Sequence, residues 1–270
     1  MVVQHNLRAM NSNRMLGLTQ TTQSRSTEKL SSGYKINRAA DDAAGLAISE
    51  KMRRQVRGLT QASANAQDGI SMVQTAEGAL NEVHDMLQRM NELAVKAANG
   101  TMTTEDQDYI NKEVSALKTE INRVATTTTF NEKSLLSADT TFELQVGAET
   151  GDDNVIQVKI GQMTASKLGV SGSADSVTNA KALIGQVKTA ISNLNGQRAD
   201  LGAQQNRLEH TISNLDNVVE NTTAAESAIR DTDMASEMVK YSNNNILAQA
   251  GQAMLAQANQ SNQGVLSLLS

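Results

Sequence analysis

The side chains that most often carry acid–base or metal chemistry are few in this chain and stand apart from one another. The three histidines, His5, His84 and His210, show none of the H-E-x-x-H spacing that binds zinc on a helix. The chain has no cysteine, which excludes thiol catalysis, disulfides, cysteine-ligated zinc and iron–sulfur clusters. It also lacks a glycine-rich phosphate loop and a nucleophile elbow. We therefore predict that the chain is not an enzyme and binds no metal or cofactor.

An acidic cluster, Gly151-Asp152-Asp153-Asn154, invites comparison with a cation site. It lacks the ligand spacing of a calcium loop, whereas glycine, aspartate and asparagine together are typical of turns. Apolar residues alternate with polar ones on either side of it, at Phe142, Leu144 and Val146 and at Ile156, Val158 and Ile160. The pattern predicts a β-hairpin whose turn contains the cluster.

The composition favours long helices over a compact domain with a ligand pocket. Among 270 residues there is no proline and no tryptophan, and aromatic residues make up 2%. Ligand pockets are lined mainly by aromatic and apolar side chains, so such a pocket is disfavoured. Proline breaks helices, and its absence suits long ones. The formal net charge of −5 gives no electrostatic support for a nucleic-acid partner.

Apolar residues from Met52 to Ala97 recur at steps of three and four that average about 3.5 residues, the period of a left-handed coiled coil. Asp41 and Asp42 precede this helix as N-cap candidates, and Asn99-Gly100 ends it. A second helix is predicted after Thr103-Thr104, folding back on the first. The predicted fold class is mainly α: a long coiled-coil bundle of the N- and C-terminal halves, with a small central β-hairpin region at about 130–175.

The C-terminal half carries a row of residues spaced by seven: Val187, Leu194, Leu201, Leu208, Leu215, Thr222 and Ile229. A companion row includes the polar residues Arg198 and Gln205, which cost stability and either fix the register or leave room for a third helix. The periodicity fits a leucine zipper as well as one helix of a larger bundle.

The two ends of the chain differ from the rest. Residues 241–270 contain no Asp, Glu, Lys or Arg, and residues 1–32 carry only a thin apolar stripe. Helices of this kind bury too little apolar area to order themselves, so we expect disorder in the free chain and folding against partners. We expect the two ends to pair with each other and with further copies of the chain. The self-assembly candidates are Val3, Leu7, Met10, Leu247, Met254, Val265 and Leu268.

The sequence shows neither a membrane span nor a secretory leader. No apolar run approaches the roughly 18 residues that a span requires. Met1–Gln20 contains two arginines but no apolar h-region, and no Sec-type cleavage site follows. If the protein leaves the cell, we expect a route that needs no cleaved signal.

The segment 31–49, SSGYKINRAADDAAGLAIS, closely resembles bacterial flagellin. The resemblance covers about residues 1–135 and 180–270, with further matches at 88–95, 130–131, 231–235 and 265–269. Flagellins place variable outer domains in the middle of the chain, which here is only a hairpin and a loop. The sequence therefore looks like a short flagellin without a separate outer domain. His5 and Ser270 depart from the family pattern in the terminal helices.

The resemblance implies a structural subunit of an extracellular helical filament. Residues 1–40 and 235–270 would form paired terminal helices in the inner core of the filament, with a connecting spoke, and residues 41–234 the long-helix bundle. The chain would be exported unfolded through the flagellar type III apparatus. Its expected partners are further copies of itself, an export chaperone and the filament cap protein.

The resemblance also implies recognition of the monomer by host Toll-like receptor 5. The family's receptor patch falls on Arg89, Leu93 and Glu113, with Gln88 and Glu92 beside them. Arg89 and Leu93 are four residues apart and lie outside the row of apolar residues from Met52 to Ala97, which we call the seam row. We therefore expect both to reach the monomer surface and to be covered in the filament. A leucine in this position also fits a residue that flanks the core.

Two other classes of protein share features of this sequence. A hook–filament junction protein has similar terminal helices but usually a longer middle. An intracellular coiled-coil scaffold should carry denser charge and well-capped ends. The uncharged final 30 residues favour a filament subunit over a scaffold.

Overall fold

The computed structural model describes residues 6–267, and side chains for residues 6–261. The described chain contains five α-helices: α1 Leu7–Ser32, α2 Ala43–Ala97, α3 Thr104–Thr127, α4 Val177–Arg230 and α5 Met234–Ser267. Its strands are short: β1 Thr129–Phe130, β2 Lys133–Ser134, β3 Thr140–Gln145 and β4 Val155–Ile160. The mainly α fold with a small central β-hairpin is thus confirmed.

Packing divides the chain into two units. The terminal unit comprises residues 1–54 and 221–270, and the central unit comprises residues 55–220. Helices α2 and α4 contribute to both units. The sequence predicted limits at about residues 40 and 235, and the filament roles assigned to those regions stay predictions.

The helix starts follow from capping side chains. Asp42 Oδ1 accepts a hydrogen bond from the Gly45 N–H at 2.9 Å, so Asp42 caps α2 as predicted. Asp41 instead accepts from the backbone N–H groups of Arg38 and Asn37, which hold the pKa of its carboxyl below its ordinary value. The second predicted cap residue therefore organises the preceding turn.

The core of the central unit buries side chains of α2, α3, α4 and β4, and the partly buried Phe142 and Leu144 of β3 pack against it. In the seven-residue row, Val187, Leu194, Leu201 and Leu208 are fully buried and Leu215 is nearly so. The row is therefore one side of a multi-helix core and not a two-stranded zipper. Arg198, a polar member of the companion row, is half-buried and lies 3.6 Å from Glu77 of α2.

Strands β3 and β4 pair antiparallel, with Leu144 opposite Ile156 and Phe142 opposite Val158, so the predicted hairpin is confirmed. Its turn contains the acidic cluster, where the Val146 N–H donates to the Asn154 carbonyl at 2.8 Å. A Cβ at Gly147 would overlap the Asn154 side chain, which requires glycine there. The cluster forms the turn, as predicted.

A second hairpin, β1–β2, has no counterpart in the sequence prediction. Asn131 and Glu132 join its strands with φ of 48° and 65°. Two successive residues in the left-handed region are typical of a type I′ turn, which usually carries Asn-Gly. The sequence did not indicate this turn, because its second position is glutamate where glycine is usual. A non-glycine residue in the left-handed backbone conformation costs roughly 1–2 kcal/mol of conformational energy.

In the terminal unit, α1 and α5 lie side by side and antiparallel. Asn6 Nδ2 donates to the Ala258 carbonyl at 3.1 Å, near one end of the pair. Near the other end Glu237, only 5% exposed, accepts a hydrogen bond from the buried Ser26 hydroxyl, which holds the pKa of Glu237 below its ordinary value. Apart from these polar groups, the buried residues of the two helices, as far as their side chains are described (to residue 261), are Leu16 and Ala248. The pair therefore has very little apolar core of its own.

Candidate interaction surfaces

A groove of about 420 Å³ lies between α2 and α3 in the central unit. Thr103 and Asp106 form a capping box that fixes the start of α3. Gln107 Nε2 donates to the Ala97 carbonyl at 3.2 Å and ties that start to the end of α2. The predicted helical hairpin is thus present. The groove is lined by Arg89, Glu92, Leu93, Lys96, Met102, Asp106, Tyr109, Ile110 and Glu113.

Three of the predicted receptor residues meet at the rim of this groove. Arg89 donates to Glu113 Oε1 across the two helices at 2.9 Å and to Glu92 Oε2 along its own helix at 3.1 Å. These hydrogen bonds raise the pKa of the Arg89 guanidinium above its ordinary value, and the bond to Glu113 has the larger effect. All three side chains are about half exposed or more. Gln88 is exposed beside them, with Nε2 3.4 Å from His84 Nε2.

The expectation that Leu93 reaches the surface is wrong. Leu93 is 3% exposed and belongs to the core of the central unit. Helix α2 buries a wider face than its seam row because it packs against more than one element, and Leu93 falls within that face. The exposed apolar side chain at this groove is Tyr109, 59% exposed, which the sequence prediction missed. The signal available in the sequence was that Tyr109 directly precedes Ile110, an apolar residue of the second predicted helix.

The terminal unit carries the second candidate surface. Among the described residues, all large apolar residues that are exposed lie in this unit except Val95 and Tyr109. Those in the terminal helices are Leu7, Met10, Met15, Leu18, Met234, Met238, Val239, Ile246, Leu247 and Met254. Clusters of exposed apolar side chains mark interaction surfaces. We call this set the apolar surface of α1 and α5.

Four predicted self-assembly residues belong to this surface. Leu7 and Met10 are 67% and 64% exposed, and Leu247 and Met254 are 57% and 64% exposed. Val3 and Leu268 lie outside the described residues, as does the side chain of Val265. The sequence prediction missed the other six residues of this surface, because the apolar stripes it followed were too narrow: Met15, Leu18, Met234, Met238, Val239 and Ile246.

Comparison with known proteins identifies the family. Residues 3–141 match the family profile described as the bacterial flagellin N-terminal helical region, and residues 184–269 match the C-terminal helical region. The chain belongs to the bacterial flagellin family. It is 53% identical over 274 residues to a flagellin of Halalkalibacterium halodurans, and the match covers all of both chains. It is 50% identical to the flagellar filament 31.3 kDa core protein of Treponema maltophilum, again over all of both chains.

A solved relative supports the same assignment. The crystal structure of Bacillus cereus flagellin shares 32% identity with a TM-score of 0.50, covering 56% of this chain and 88% of that one. Only residues 142–183 lie between the two matched regions, too few for a large variable domain there. Flagellins are structural proteins, and this chain is a flagellar filament subunit by family. In the part that the structure describes, no cluster of three or more potential ligands forms a metal site, and no helix could span a membrane.

Proposed function

We propose that this chain polymerises into the extracellular filament of a bacterial flagellum through the apolar surface of α1 and α5. The observation that carries the proposal is the location of the exposed apolar residues, which are concentrated where the helices have almost no core of their own. Full burial of one Leu or Met side chain contributes roughly 1.5–3 kcal/mol. Several such residues on each subunit can offset an association cost of roughly 4–15 kcal/mol.

Electron microscopy of the purified full-length chain under polymerising conditions tests this proposal. Because each subunit presents the same apolar surface, the expected product is a long filament of uniform width. Soluble monomers or closed oligomers under conditions that polymerise related flagellins would contradict it.

The route out of the cell belongs to the same proposal. We expect export in an unfolded state through the flagellar type III apparatus, with an export chaperone before and the filament cap protein after transit. Two features support unfolded export: the chain has no cysteine, so no disulfide opposes unfolding, and its terminal helices bury little apolar surface.

The groove between α2 and α3 is the proposed contact for host Toll-like receptor 5. Arg89, Glu92 and Glu113 supply a charged, half-exposed rim, and Tyr109 supplies an exposed aromatic side chain. Arginine and tyrosine are enriched among residues that dominate binding energy at interfaces. Leu93 lies at the floor of the groove and keeps its place in the proposal as a supporting residue. In the filament we expect neighbouring copies to cover the patch.

Substitution of the rim should weaken receptor binding without loss of fold. Arg89→Ala and Glu113→Ala each remove one partner of an exposed ion pair, so the change in stability should stay within about 0.5 kcal/mol. We expect each to cost more than about 1 kcal/mol of binding, roughly fivefold in Kd. The measurement is the affinity of the monomer for the receptor ectodomain.

The matched control is Arg123→Ala. Arg123 forms an equally exposed ion pair with Glu120 on α3, outside the groove. Its loss should leave the Kd unchanged. Unchanged affinity for both rim variants would refute the patch while leaving the filament proposal intact. Leu93→Ala is a poor test, because truncating a buried leucine costs about 2–5 kcal/mol of stability.

A further inference from the structure

The terminal unit contains two breaks in its helices, residues 33–42 between α1 and α2 and residues 231–233 between α4 and α5. The two breaks lie against each other. The Lys35 N–H donates to the Arg230 carbonyl at 2.8 Å, and the Thr232 N–H donates to the Gly33 carbonyl at 2.9 Å. Tyr34 and Asp231 form an isolated antiparallel β-bridge between them. We call this arrangement the joint.

One side chain, Arg230, contacts three of the segments that meet at the joint. Its guanidinium lies 4.6 Å from the centroid of the Tyr34 ring, within the range of a cation–π interaction. Its Nη1 is 2.8 Å from Glu50 Oε1 in the first turns of α2 and 4.0 Å from Glu226 in α4. The side chain is only 13% exposed. Arg230 therefore links the chain after α1, the start of α2 and the end of α4.

The stacked, ion-paired guanidinium of Arg230 is suited to holding three segments at fixed positions, since its planar fork is rigid.

We infer that Arg230 is a positioning residue for polymerisation: it locks the joint and so fixes the direction in which α1 and α5 leave it. The inference rests on the proposed function, because the apolar surface of α1 and α5 makes the filament contacts. If the joint loosens, that surface samples many directions and each subunit pays more entropy on joining a filament.

The chain offers a matched control at the same carboxylate. Arg53 donates to Glu50 Oε1 at 2.9 Å, close to the Arg230 distance of 2.8 Å, but the guanidinium that lies over the Tyr34 ring is that of Arg230. Arg230→Ala and Arg53→Ala thus each remove an ion pair to Glu50, and only the first also removes the cation–π contact with Tyr34. Tyr34 gives a second pair of variants, because Tyr34→Phe keeps the aromatic ring and Tyr34→Leu removes it.

The first measurement is the monomer concentration at which filaments stop growing from wild-type seeds. We expect Arg230→Ala to raise it about tenfold or more, and Tyr34→Leu about fivefold. Arg53→Ala and Tyr34→Phe should change it less than about threefold, and Arg230→Lys should fall in between, since it keeps the charge without the planar fork. Equal effects of Arg230→Ala and Arg53→Ala would overturn the inference.

The second measurement is amide hydrogen exchange of the full-length chain, which does not depend on polymerisation. Arg230→Ala should speed exchange of the Lys35 and Thr232 amides about tenfold or more, while amides around Leu208 in the central unit stay unchanged. If the wild-type chain forms no filaments but exchanges these two amides slowly, the proposed function is contradicted, while the joint is still shown to be formed. Unprotected amides in the wild type, or no difference between wild type and Arg230→Ala, would overturn the inference.

Discussion

A chain that lacks residues 1–32 and 241–270 should stay folded and soluble but should form no filaments. The deletion removes α1, most of α5 and most of the exposed apolar residues of the described chain. The core of the central unit, from Leu59 to Leu215, lies wholly outside the deleted residues. Circular dichroism should show a helical, cooperatively melting protein, and electron microscopy should show no polymer. Long filaments of the truncated chain would show that the terminal helices are not the assembly elements.

Point variants test whether polymerisation requires the exposed apolar side chains themselves or only the presence of α1 and α5. Leu247→Asn and Met254→Asn change side chains that are more than half exposed, so the stability of the monomer should change by less than about 0.5 kcal/mol. Both should weaken polymerisation, because each places a polar amide in the proposed contact. Gln252→Ala, also at an exposed position of α5, is the control and should polymerise as the wild type does.

Leu208→Ala should lower the free energy of unfolding by about 2–5 kcal/mol. Leu208 is fully buried in the seven-residue row of α4, in the core of the central unit. Its Cδ1 lies 3.4 Å from the position a Cβ would take at Gly69 of α2, so truncation leaves a cavity between tightly packed helices. Urea denaturation of the monomer measures the change.

The controls for Leu208→Ala lie on the exposed side of the same helix. Glu209 accepts a hydrogen bond from Gln205 at 2.9 Å, and Lys188 is exposed. Glu209→Ala and Lys188→Ala should each change the unfolding free energy by no more than about 0.5 kcal/mol. Similar shifts in Tm for Leu208→Ala and Glu209→Ala would contradict the assignment of the row to the core.

Elements with a strong local signal were predictable. The 3.5-residue period gave α2, the seven-residue row gave α4, and alternating apolar residues gave β3 and β4 with their turn. Asp42 and Thr103 marked helix starts, because a capping side chain acts on amides two or three residues away. Each of these signals depends on neighbours in the chain, which the sequence displays directly.

The groove was predictable only in part. Arg89, Glu92 and Glu113 come together, but the exposure of Leu93 and Tyr109 was not readable from α2 or α3 alone. Exposure depends on which elements cover a helix, and periodicity reports only the stripe that one contact buries. A second packing contact on α2 placed Leu93 inside, and Tyr109 took the exposed position.

The sequence by itself determined the helical architecture, the hairpin, the family and the low charge and thin apolar stripes of the two ends, because composition, period and motifs are local properties. Only the tertiary structure decided that α4 belongs to a multi-helix core, that Asn131-Glu132 closes a hairpin, and that Arg230 meets Tyr34 and Glu50. Arg230 and Glu50 are 180 residues apart in the chain. No local pattern encodes such a contact, since it forms only when packing brings the two helix breaks together.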